Sequence, residues 1–61
     1  MTKFWMAIVE ARDNAPWIPY WTRQEANAEA ERLARIEGKG IYVLEAVSFC
    51  LPSELKWEEL E

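Results

Sequence analysis

Apolar residues form two stretches that predict β-strands, with a third stretch of helical periodicity between them. Residues 4–10, FWMAIVE, are rich in aromatic and β-favouring side chains and have the length of a strand. Residues 17–21, WIPYW, predict a second extended segment. Because Pro19 has no N–H to donate, this segment is an edge strand or an irregular one. Residues 41–51 predict the longest strand.

The helical signal covers residues 23–37, a stretch rich in alanine that contains neither glycine nor proline. Thr22 precedes it as a capping residue and Glu25 follows three positions later, which is the capping-box spacing. Gly38 is the expected stop. At about 100° per residue, one side of the helix carries Ala26, Ala30, Leu33, Ala34 and Ile36.

These elements predict an α+β fold, a small ββαβ domain over residues 1–51. A right-handed crossover lays the third strand beside the first and gives a three-stranded antiparallel sheet of order 2-1-3, with one helix on one face. Residues 52–61 form an acidic C-terminal tail. The tail is a short amphipathic helix, a cover for the sheet or a frayed end.

The third strand places Glu45 on one face with Ile41, Val43 and Val47. A lone carboxylate rarely faces a helix without a partner, so we place Tyr42, Leu44 and Ala46 under the helix. Phe4, Met6 and Ile8 lie beside them on the first strand. The uncovered face then carries Trp5, Ala7, Val9, Ile41, Val43 and Val47. Either the tail or a second protein chain covers it.

Composition argues against several classes of function. With 7 basic and 11 acidic residues the net charge is −4, and the basic residues are scattered, which disfavours direct nucleic-acid binding. Histidine is absent and Cys50 is the single cysteine, so the usual zinc ligand sets and nucleophile–base pairs are missing. We expect a buried Cys50 thiol, no cofactor and no enzymatic activity.

The apolar stretches are also too short for a membrane protein. None approaches the roughly 20 residues of a membrane span. The apolar stretch near the N-terminus is too short and wrongly flanked for a signal peptide. We therefore expect a cytoplasmic protein that makes no contact with membranes.

Four tryptophans in 61 residues exceed what a core of this size can bury, and tryptophan and tyrosine are enriched at binding hot spots. We assign Trp21, beside the helix cap, to the core. The predicted protein-binding residues are Trp5, Trp17, Tyr20, Val43, Glu45, Val47 and Trp57.

The FW start, the Thr-capped EANAEAERLAR helix and the GKGIYVLEAV strand together resemble a group of small uncharacterised proteins encoded by bacteriophages and prophages. The resemblance covers residues 3–47 and implies no activity or catalytic residue. It favours an inhibitor or modulator of a host protein complex, including a defence system, which would work in the host cytoplasm. The alternatives are a self-associating accessory protein, dimeric through the open sheet face, and an acidic mimic of nucleic acid.

Overall fold

The computed structural model describes residues 2–11, 17–53 and 55–61. It has an α+β fold, as predicted. In chain order its elements are β1 (Trp5–Val9), α1 (Arg23–Glu37), β2 (Ile41–Glu45), β3 (Ser48–Leu51) and β4 (Lys56–Glu59). No described helix is both long and apolar enough to cross a membrane.

Helix α1 begins and ends where its local signals predict. The Thr22 hydroxyl accepts a hydrogen bond from the Glu25 backbone N–H at 3.1 Å and donates one to the Glu25 carboxylate at 3.1 Å. Gly38 adopts a left-handed conformation with φ of 65° and donates its N–H to the Ala34 carbonyl, which caps the last turn. Of the predicted buried stripe, Ala26 is fully buried, whereas Ile36 is 65% exposed.

The strands form two antiparallel sheets of two strands each, so the predicted three-stranded sheet of order 2-1-3 is not formed. Strand β1 pairs with β2. The expected second strand is reduced to one bridge between Trp5 and Tyr20. Pro19, immediately before Tyr20, has no N–H to donate to a longer ladder.

The strand expected over residues 41–51 is two strands, because its halves pair with different partners. Up to Ala46, whose N–H donates to the Phe4 carbonyl, the chain follows β1. From Val47, whose carbonyl accepts from the Leu60 N–H, it follows the C-terminal residues. Residues 56–59 form strand β4 opposite β3, rather than the short helix considered for the tail.

Helix α1 covers the opposite face of the β1–β2 sheet from the one predicted. Val9 is 4% exposed, whereas Tyr42 is 61% and Leu44 is 51% exposed. Arg23 of the helix lines one cavity together with Trp5, Val43 and Glu45. The prediction failed because Glu45 needs no partner under the helix. It lies at the end of β2, remains exposed, and its carboxylate is 3.8 Å from the Lys3 ammonium.

The core of the described chain is small. Val9, Ala26 and Leu60 are its buried hydrophobic residues, and the accessible surface is 4859 Å², against about 4100 Å² for a compact monomer of this mass. The Cα radius of gyration is 13.3 Å, against about 10.5 Å for a compact domain of this length. The chain is therefore extended and leaves much apolar surface uncovered.

Candidate protein-binding surface

The segment from Trp17 to Trp21 is held against the edge of β1 by Tyr20. The N–H of Trp5 donates to the Tyr20 carbonyl, and the N–H of Tyr20 donates to the Trp5 carbonyl, both at 2.8 Å. Directly bridged residues point their side chains to the same side of a sheet. Tyr20 therefore points toward the face covered by α1, and its neighbour Trp21 toward the uncovered face.

A polar network on the helix fixes the Tyr20 side chain. Both Glu29 carboxylate oxygens accept from the Arg32 guanidinium at 2.6 Å, which is bidentate geometry. The hydrogen bond from Arg32 lowers the pKa of Glu29. Burial raises the pKa of Tyr20, and the Glu29 charge and hydrogen bond raise it further. The network thus joins the 17–21 segment to α1.

Three aromatic rings meet on the uncovered side. The Phe4 ring lies 5.3 Å from Trp17 at an interplanar angle of 67°, and 6.2 Å from Trp21 at 70°. Edge-to-face contacts of this kind contribute about 0.5–1.5 kcal/mol beyond area burial. Trp17 nevertheless remains 70% exposed and Trp21 58% exposed. Trp21, expected in the core, is a surface residue instead.

The aromatic cluster continues along the sheet into an apolar surface. Alternation along β1 and β2 puts Met6 opposite Leu44 and Ile8 opposite Tyr42, on the same side as Phe4. We call this surface the open face; its residues are Phe4, Met6, Ile8, Trp17, Trp21, Tyr42 and Leu44. None of these side chains carries a formal charge at neutral pH.

The β3–β4 hairpin presents further exposed apolar residues. Trp57 is 67% exposed and Leu55, in the connecting turn, is 74% exposed. Leu55 also has a positive φ of 49°, a conformation that a bulky side chain disfavours. Among the described residues, neither strand of the hairpin packs against α1, β1 or β2. The hairpin is thus a second apolar surface, separate from the open face.

The structure does not bring the predicted binding residues onto one surface. Of the seven, only Trp17 lies on the open face. Trp5 and Val43 are half-buried on the helix-covered face, with Glu45 exposed at its end. Tyr20 holds the segment in place, Val47 is 56% exposed between β2 and β3, and Trp57 lies on the hairpin.

Sequence reasoning missed three exposed residues of the open face. They are Trp21, Tyr42 and Leu44. For Tyr42 and Leu44 a usable signal was present, because a terminal glutamate in a strand can stay in water on either face. The alternation of residues 41–45 was read correctly, but the wrong face was placed under the helix.

The described residues offer little for chemistry on a small molecule. The cavity lined by Trp5, Arg23, Val43 and Glu45 has a volume of about 220 Å³, below the roughly 300 Å³ at which ligand pockets begin. No group of three or more acidic, cysteine or histidine side chains among these residues is arranged to hold a metal ion. Cys50, expected to be buried, is half-buried with a free thiol.

Comparison with known proteins gives no relative from which a function could be transferred. The chain matches no protein-family model, no curated protein and no solved structure. Its function has to be inferred from its own surface.

Proposed function

We propose that this chain is a non-enzymatic protein-binding module that presents the open face to another protein. The observation that carries the proposal is the exposure of four large apolar side chains on one uncharged surface. They are Trp17, Trp21, Tyr42 and Leu44, each more than half exposed. Contiguous apolar surfaces of this kind mark interaction sites in small proteins.

Energetics favour Trp17 and Trp21 as the anchors of such an interface. Fully burying a large apolar side chain contributes about 1.5–3 kcal/mol. Both rings already contact Phe4 edge-on, and the segment that carries them is tied to β1 by the Tyr20 bridge. A pre-organised aromatic side chain loses less conformational entropy on binding. These are the properties of hot-spot residues.

The phage resemblance of residues 3–47 suggests which class of partner the module serves. In this proposal the partner belongs to a host protein complex, such as a defence system, and the module inhibits or modulates it by covering a surface. The net charge of −4 favours a partner with an apolar centre and a basic rim, since opposite charges steer association.

Affinity capture with matched variants tests this proposal. Tagged wild-type chain, a Trp17→Ser/Leu44→Ser variant and an Ile36→Ser control are incubated with lysate of the bacterial host, and bound proteins are quantified by mass spectrometry. Ile36 is a suitable control because it is 65% exposed but lies on α1, away from the open face. Circular dichroism verifies that all three proteins fold.

We expect wild type and the Ile36→Ser control to retain the same partner in equal amount. The open-face variant should retain at least about tenfold less, because two anchoring contacts are lost. Equal retention by the open-face variant would contradict the proposal.

A further inference from the structure

Strand β2 has one hydrogen-bonding edge that no described residue uses. The bonds from Ala46 N–H to the Phe4 carbonyl and from Glu10 N–H to the Gly40 carbonyl fix which groups face β1. Between these two bonds, the backbones of Tyr42 and Leu44 point toward β1 in the antiparallel register. Those of Ile41, Val43 and Glu45 therefore point away from β1.

This edge lacks the features by which proteins prevent edge pairing. Residues Ile41–Glu45 contain no proline and no lysine, and their register with β1 is continuous, without a bulge. In the described ranges, only β1 and α1 pack against β2. Uncovered edges that are rich in β-favouring residues pair with other strands.

We propose that a second copy of this chain pairs with the β2 edge in antiparallel orientation, with a two-fold axis at Val43. In this register Val43 faces Val43 of the second copy, and Ile41 faces Glu45 of the second copy. All three residues have outward N–H and C=O groups, so each pair exchanges two N–H···O=C hydrogen bonds. The strand is thus complementary to itself.

Charge and packing are compatible with this register. Glu45 faces Ile41 rather than another carboxylate, so no like charges oppose each other across the new ladder. On the open face, Tyr42 comes to lie beside Leu44 of the second copy. Both helices lie on the same side, and the two open faces join into one wider apolar surface.

Stability considerations also favour a second copy. A two-stranded sheet is marginally stable in water, whereas three or more strands are needed for independent stability. Pairing at β2 turns the β1–β2 sheet into a four-stranded one. The surface of 4859 Å² exceeds that of a compact monomer by roughly 700 Å², close to the ~800 Å² that each partner buries in a standard interface. The inference goes beyond the proposed function and does not depend on it.

Amide hydrogen exchange followed by NMR tests which edge is used. In dilute monomer, the amides of Ile41, Val43 and Glu45 should exchange rapidly, while those of Tyr42 and Leu44, bonded to β1, exchange slowly. At concentrations where sedimentation equilibrium shows dimer, the first three should become protected as well. A dimer in which these three amides still exchange rapidly would overturn the proposal, as would a strict monomer at about millimolar concentration.

A charge-swap pair of variants tests the register. Tyr42→Glu/Leu44→Glu places glutamates opposite each other across the new ladder, and we expect the dimer dissociation constant to rise roughly tenfold or more. Tyr42→Lys/Leu44→Glu places opposite charges in the same positions and should restore the dimer. Both positions are exposed, at 61% and 51%, so the monomer fold tolerates the changes.

Two further variants separate edge pairing from stacking of open faces and from net charge. Val43→Pro removes an outward N–H without altering the open face, and proline is tolerated at such edge positions. It should abolish the dimer. An Ala28→Glu/Ile36→Glu control on α1 adds the same charge and should leave dimerisation unchanged. If both charged pairs at positions 42 and 44 dissociate the dimer while Val43→Pro does not, the copies stack through their open faces and the edge proposal is wrong.

Discussion

At the scale of single residues, Tyr20 connects the parts that form the binding surface. Its backbone bridges Trp5, and its hydroxyl interacts with Glu29, which Arg32 holds in turn. Tyr20 is not itself exposed on the open face. Its role is to position Trp17 and Trp21, which flank it in the chain.

The Tyr20–Glu29 contact makes a prediction about titration. In a Tyr42→Phe variant Tyr20 is the sole tyrosine, and its pKa should lie above the ordinary value of 10.0 because of burial and the nearby carboxylate. Adding Glu29→Gln should move the pKa back toward that value. Ultraviolet absorbance of tyrosinate measures both. A Tyr20 pKa at or below the ordinary value would contradict the contact.

The same shift has a consequence for stability with a definite sign. A raised folded-state pKa means that the unfolded chain loses the Tyr20 proton first as pH rises. The contribution of Tyr20 is therefore fully present below about pH 10 and is lost as pH rises through the folded-state pKa. The free energy of unfolding should fall less steeply in this alkaline range in a Tyr20→Phe variant.

At the scale of elements, helix α1 shows how far local signals reach. Thr22 and Gly38 act through the chain within a few residues of themselves, so both ends of the helix were predictable. The β1 strand was readable for the same reason, since five consecutive residues carry its pattern.

The N-cap gives the second stability prediction. Thr22→Ala removes the acceptor of the Glu25 N–H and should lower the free energy of unfolding by about 1 kcal/mol, measured by urea denaturation. Thr2→Ala is the matched control, because Thr2 is exposed and precedes β1. Equal loss in both variants would show that the cap adds nothing to stability.

Elements that depend on distant partners were not predictable in the same way. The break between β2 and β3 follows from a change of partner, from Phe4 to Leu60, and nothing within residues 41–51 encodes it. Strand β4 forms because β3 lies opposite it, whereas its own sequence is compatible with a helix. The pairing of residues far apart in sequence decided both.

The candidate site was predictable in kind but not in place. Surplus aromatic residues and a helix on a single face of the sheet pointed to an exposed apolar surface. Choosing between the faces depended on Glu45, whose position at a strand end leaves it in water on either face. Tyr42 and Leu44 are therefore on the open face, and Trp5 and Val43 are not.

At the scale of the whole molecule, the chain buries less than its composition allows. Half of its residues are hydrophobic, yet the buried core of the described chain is limited to Val9, Ala26 and Leu60. The extended shape leaves the open face, the hairpin and the β2 edge without cover. Association with another protein molecule is the direct way for such a chain to bury apolar area.

The most direct test of this account measures the exposure of each tryptophan in the free chain. Fluorotryptophan labelling gives one fluorine resonance per tryptophan, and the H₂O/D₂O solvent isotope shift reports its exposure. In dilute monomer we predict large shifts for Trp17 and Trp21 and a smaller one for Trp5, with Trp17 and Trp21 losing theirs when a partner protein binds. Small shifts for all four tryptophans in the dilute monomer would mean that the chain covers its own open face, and would contradict the account.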